Sequence, residues 1–161
     1  MKKGFTLVEL IVSLAIFSIC MVAISMVFSV SFNTRQMNDI KQSTAGYSQA
    51  IVENFRSAGH DKLDTVYKGS IDSGVSSFVY FSDMGNFNSW FQKYISGNTS
   101  ITGKVNLANY PLSSGDKFGA LIKIDKISVE GGGNPYHIYI RVWRIDKGAK
   151  SQSVRDIYES R

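Results

Sequence analysis

The residues of this chain whose types and spacing could do chemistry are few, and the densest group is Gly4, Phe5 and Glu9. Glu9 is a lone carboxylate at the start of an apolar run, and Leu10 to Phe32 is 23 residues without a charge. As a helix rising about 1.5 Å per residue, that run covers about 34 Å, enough for a hydrocarbon core of about 30 Å. A carboxylate held in lipid costs roughly 2.5 kcal/mol or more, so Glu9 needs a partner. A cut after Gly4 would make one, an α-amine on Phe5 with Glu9 four residues on. Other chemistry is poorly supplied. Nucleophilic catalysis needs a Ser or Cys beside a base that is held in place. The imidazoles are His60 and His137, Cys20 lies in the apolar run, and no Gly-x-Ser-x-Gly elbow occurs. Two histidines outside that run fall short of a zinc ligand set.

Asp83, Asn86 and Asn88 offer oxygen atoms, but without the acidic density of a calcium loop. Gly131-Gly132-Gly133 leads to Pro135 and a second strand, with no helix N-terminus to bind an anion, so it reads as a turn. Arg141, Trp143, Arg144, Lys147 and Lys150 form a basic and aromatic cluster. Such a cluster could track a nucleic-acid backbone. The alternative, which we take, is a solvated sheet edge whose lysines block strand pairing. No metal and no cofactor is expected.

The segment Lys3-Gly4-Phe5-Thr6-Leu7-Val8-Glu9 resembles the prepilin processing site of type IV pilins and type II secretion pseudopilins, with a match running from Lys2 to about Leu14. The resemblance implies a prepilin peptidase that cuts between Gly4 and Phe5 and N-methylates Phe5. It implies a lollipop-shaped subunit that assembles through its N-terminal helix, with Thr6 and Glu9 on key positions and Glu9 pairing with the amine of a neighbour. The implied partners are other pilin or pseudopilin subunits, the peptidase and a membrane assembly platform. Major subunits usually carry a proline about 22 residues into the mature helix; here that position is Met26. Many pilins also close their C-terminal region with a disulfide, and Cys20 is the one cysteine of this chain. The absent proline is more typical of minor subunits and pseudopilins, and with the absent disulfide and the polar tail it argues for a low-copy subunit. The run Ile138-Tyr139-Ile140-Arg141-Val142-Trp143 is similar, more loosely, to the penultimate strand of minor pilins and minor pseudopilins. The resemblance leaves open whether the machine is a pilus, a secretion system or a competence system. A major pilin and a monomeric membrane-anchored extracytoplasmic binding protein are the rival readings.

Other targeting signals fit less well. Ala23-Ile24-Ser25 could pass for a signal-peptide cleavage site, but the apolar run continues through Met26-Val27-Phe28. A lipoprotein site would need a small residue where Ile19 stands before Cys20. Lys2 and Lys3 place the N-terminus in the cytoplasm by the positive-inside rule. The subunit is therefore expected to cross the cytoplasmic (inner) membrane once, with its C-terminal domain outside, and then to enter an extracellular or periplasmic filament.

These residues have to be carried by larger elements. The 161 residues suffice for one domain besides the anchor, and the net charge of +5, which loses two with Lys2 and Lys3, gives no argument for nucleic acid. The expected organisation is a leader at 1–4, a membrane and filament-core helix half at 5–32, an amphipathic helix half at 33–58 and a globular β-rich domain at 59–161. The fold class is α+β and pilin-like, a long helix packed on a small antiparallel sheet. In the membrane half, Ala15, Ser18, Val22, Ser25 and Ser29 recur at spacings of three and four. Small residues on one face let helices approach closely in lipid. The other reading is that serines in a membrane helix bond back to their own turn. In the second half, Ile40, Thr44, Tyr47, Ile51 and Phe55 make an apolar stripe, and Gly59 supplies a stop.

Beyond Gly59 the residues from His60 to Gly74 read as loop with a turn or short strand. Val75–Phe81 reads as a strand, Asp83-Met84-Gly85-Asn86 as a turn, and Ser89–Ser96 as helical in spacing but too short to assign. A further strand is expected near Ser100–Leu107, followed by a loop through Pro111 and Gly115. Phe118–Val129 and Tyr136–Ile145 read as a hairpin. In its second strand Tyr136, Ile138, Ile140 and Val142 form the face that should pack on the amphipathic half of the helix. Asp146–Arg161 reads as a polar tail with a last strand or short helix.

Overall fold

The computed structural model describes residues 6–68, 75–96, 115–128 and 135–160. The chain forms two compact units, Met1–Asp39 and Ile40–Arg161.

Helix α1 runs Leu7–Ala58 without interruption, so the absence of a proline at Met26 goes with an unbroken helix there. In the first unit every residue from Thr6 to Gln36 is exposed. By length and composition α1 can cross a membrane. It ends where the sequence provides for an end. Gly59 adopts φ 75, a left-handed conformation that costs glycine little. The Gly59 carbonyl then accepts from the Leu63 N–H at 3.3 Å and opens the next helix.

That helix, α2 (His60–Lys68), replaces the expected loop with a turn or short strand. Its apolar residues explain the difference. Leu63, Val66 and Tyr67 stand three and four apart on one helical face, and Leu63 and Val66 are buried. Strand β1 (Val75–Phe81) has the expected bounds. The expected turn at Asp83–Asn86 is instead the start of α3 (Met84–Ile95). Asp83 is its N-cap, with Oδ1 accepting from the Asn86 N–H at 3.0 Å. The helical spacing of Trp90, Phe91, Tyr94 and Ile95 belongs to this helix, and all four are buried.

The hairpin is present as β2 (Phe118–Lys126) and β3 (Tyr136–Arg144), paired antiparallel with Ile122 opposite Ile140. One bond continues past it, from the Ile127 N–H to the Pro135 carbonyl at 3.0 Å. The tail forms both elements that were expected as alternatives, a 3-10 turn at Gly148–Ser151 and strand β4 (Ser153–Glu159). The strand expected near Ser100–Leu107, the loop through Pro111 and the triglycine turn lie outside the described residues.

The four strands form one antiparallel sheet in the order β1-β2-β3-β4. Alternation assigns its faces. Tyr136, Ile138, Ile140 and Val142 are fully buried, as expected, in one core with Ile51, Val52 and Phe55 of α1. Helix α3 joins the same core, with the Phe55 and Phe91 rings edge to face at 4.9 Å. The long apolar N-terminal helix is thus packed, along its segment in the second unit, on a four-stranded antiparallel sheet. On the other face Trp143 lies across Gly119, where an added Cβ would come within 2.6 Å of the indole. Glycine is required there because the ring occupies the side-chain position.

Candidate functional site

The site built from the N-terminal residues begins at Thr6. The Leu10 N–H donates to the Thr6 carbonyl at 3.2 Å, and the Glu9 N–H donates to Thr6 Oγ1 at 3.3 Å. Thr6 is therefore the N-cap of α1 and Glu9 its third helical residue. Thr-x-x-Glu is the pattern of a capping box, in which the carboxylate can also serve the N–H groups of the first turn. The helix dipole favours a negative charge at this end as well. In the sequence Thr6 stands out only as a family position, although Thr-x-x-Glu before an apolar run is legible as a helix start. Gly4 and Phe5 lie outside the described residues.

Ala15, Ser18, Val22, Ser25 and Ser29 are all exposed along α1 in the first unit. The Ser18 hydroxyl donates to the Leu14 carbonyl at 2.8 Å, and Ser25 donates to Met21 at 2.8 Å. These hydroxyls are satisfied within their own turns. The same bonds leave a face of small groups with no unmet donor at Ser18 or Ser25, which suits close approach of another helix.

These observations lie on one stretch: a cap, a carboxylate one turn in, and a bare apolar helix. The chain carries a prokaryotic N-terminal methylation motif. Residues 1–25 match the family model of that description. The motif is typical of type IV pilins and pseudopilins and implies a structural prepilin rather than an enzyme. No curated protein and no solved structure matches the chain.

Outside the methylation motif, the other candidates are dispersed or engaged. The Arg141 guanidinium lies over the Trp143 ring at 5.5 Å. Arg144 pairs with Asp146 at 2.8 Å, and Lys147 reaches the same carboxylate at 3.9 Å. Lys150 stands exposed on the 3-10 turn. Arg141, Trp143 and Arg144 stand on β3, which lies between β2 and β4, while the edges are β1 and β4 and Lys147 and Lys150 follow β3, so this cluster does not form the expected sheet edge.

The oxygen group at Asp83 is committed to structure. The Asn86 backbone N–H, and then the Ser82 hydroxyl, lower the Asp83 carboxyl below its ordinary value. Asn88 Oδ1 accepts from Asn54 Nδ2 at 2.8 Å. Among the described residues no group of three or more His, Cys, Asp or Glu could hold a metal ion. His137 Nε2 lies 2.9 Å from Asp156 Oδ1, and its ring stacks on Tyr158 at 4.9 Å. A cluster that sequence analysis missed joins α2 to the hairpin. The Tyr136 hydroxyl donates to Asp64 Oδ1, and Lys126 Nζ lies 3.4 Å from the same oxygen. The fully buried Tyr136 could have suggested it, since a phenol hydroxyl in a core requires a partner.

Proposed function

We propose that this protein is a minor structural subunit of a type IV pilus or a related filament of the type II secretion or competence class. Residues 1–4 are the leader, 5–32 the membrane and filament-core half of α1, 33–58 its amphipathic half and 59–161 the globular domain. Prepilin peptidase cuts after Gly4 and methylates Phe5. The subunit waits in the inner membrane with its C-terminal domain outside, until the assembly platform adds it to other pilin or pseudopilin subunits. One observation carries the reading. The methylation motif runs directly into an apolar helix whose side chains are exposed from Thr6 to Gln36. Such a surface requires lipid before assembly and other helices after it. The small stripe from Ala15 to Ser29 is the face we assign to those contacts. Met26 in place of proline, and the position of Cys20 within the anchor, favour a minor over a major subunit.

In the filament the Glu9 carboxylate meets the Phe5 amine of the neighbouring subunit where lipid is excluded. Breaking a desolvated pair from one side costs about 3 to 5 kcal/mol. The Thr6–Glu9 geometry favours a second reading, a lone anchor in which Glu9 only completes the helix cap. One experiment separates the two readings. Intact mass from a host with the peptidase should lack Met1 to Gly4 and carry one methyl. In that host Glu9→Gln keeps the capping pattern, which accepts glutamine, but removes the charge. We expect the variant to be inserted, processed and folded but missing from sheared filaments. Incorporation at the wild-type level would overturn the pairing role and leave Glu9 as a cap.

A further inference from the structure

We propose that the outer edge of β4 is a docking strand for a second copy of this chain, paired antiparallel about Ile157. Among the described residues β4 pairs only with β3, so its other side offers a row of backbone donors and acceptors. Edge strands are ordinarily blunted by proline, charged side chains or a bulge. The seven residues Ser153–Glu159 contain no proline and the register with β3 is continuous from Ser153 to Glu159, so the charges Arg155, Asp156 and Glu159 decide which strand can pair there. Val154 and Tyr158 stand exposed on the outer face.

The charge pattern selects the occupant. Arg155 and Glu159 lie on one face of the strand, about 13 Å apart at 3.3 Å per residue, too far to pair with each other. Neither has an ion-pair partner among the described residues. In an antiparallel pair of identical strands, residues directly opposite share a face, so the twofold axis must pass through a residue. An axis at Arg155 sets arginine against arginine, and one at Asp156 sets aspartate against aspartate; both are unfavourable. An axis at Ile157 sets Ile157 against Ile157, Arg155 against Glu159 twice, and Asp156 against Tyr158 twice. The strand is thus self-complementary in that register. The pairing closes on itself after two copies and leaves no β4 edge to extend. A single strand pair is a small interface, and confinement of both copies to a membrane through α1 would raise their effective concentration. The proposal does not depend on the filament reading.

The test uses the full chain in detergent micelles, with the monomer–dimer equilibrium followed by sedimentation. Arg155→Glu and Glu159→Arg each place like charges opposite, and each should weaken dimerisation at least tenfold. The double variant Arg155→Glu/Glu159→Arg restores both pairs and should return to within about threefold of wild type. Recovery in the double variant also excludes misfolding as the cause of the single losses. A chain that stays monomeric at every concentration would overturn the proposal. So would a dimer indifferent to both reversals, which would place the contact elsewhere on the chain.

Discussion

Helix α1 carries hydroxyl residues through both units of the chain, and they bond differently in each. In the first unit Ser13, Ser18, Ser25 and Thr34 each donate to the carbonyl four residues back, at 2.8 to 2.9 Å. In the second unit the Thr44 hydroxyl also lies within bonding distance of local carbonyls, those of Ile40 and Lys41, but it reaches Ser151 O at 2.8 Å as well. Ser48 Oγ lies 2.9 Å from Ser153 Oγ. Thr44, Ser48 and Ser151 are fully buried, whereas the first four are exposed. The residue types are the same and the helix is the same. What differs is whether another element lies against the helix face. A serine on a bare helix closes its own hydrogen bond, while a serine under a sheet becomes an attachment point for it.

This contrast can be broken most strongly at the apolar centre of the second unit. Phe55 is fully buried, so Phe55→Ala should cost about 3 kcal/mol in chemical unfolding of that unit. A loss below about 0.5 kcal/mol would mean that the stripe is not buried. Next comes Thr44→Val, which keeps the shape and removes the donor to the Ser151 carbonyl. Leaving a buried acceptor unmet costs about 1 to 3 kcal/mol, and the loss should appear in the same unfolding measurement.

The helix caps sharpen the comparison further. α1 begins on Thr6, a hydroxyl that does not titrate, whereas α3 begins on Asp83, a carboxylate whose pKa is lowered from 3.8. The contribution of Asp83 is therefore fully present above pH 3.8 and is lost as the pH falls through its lower folded value. Asp83→Asn should narrow the stability gap between neutral and acid pH relative to wild type, as read from melting temperatures across that range. An unchanged gap would remove Asp83 from the acid response. The smallest effect is expected at Ser25→Ala, which removes a hydroxyl bonded only to its own turn. It should leave the melting temperature of the second unit within error.

Much of this architecture was legible in the sequence because its signals are local. The uncharged run, the Ile51–Phe55 stripe and Gly59 define α1. The alternation of Tyr136, Ile138, Ile140 and Val142 defines the inward face of β3. Both errors of type came from short helices. α2 has nine residues, mostly polar, and its pair Leu63 and Val66 was outweighed by that polarity. Asp83 was assigned to a turn because the same bond from side chain to backbone N–H serves turns and helix caps alike. Of the candidate site, Glu9 stood out as a lone carboxylate in an apolar run and Thr6 was found by resemblance, while their capping relation, though written in Thr-x-x-Glu, was not used. The Thr44–Ser151 contact leaves no local trace, because its partners are 107 positions apart.

That separation is also an interval of time. A ribosome adding about 5 to 20 residues per second makes Ser151 about 5 to 20 s after Thr44. For most of that interval Ile51 and Phe55 exist without the complete sheet, because β3 is made only at Tyr136–Arg144 and β4 follows Ser151. A nascent chain arrested before Tyr136 would therefore display part of the apolar stripe of α1. Quality control that reads exposed apolar surface would recognise it there, far from the point of arrest.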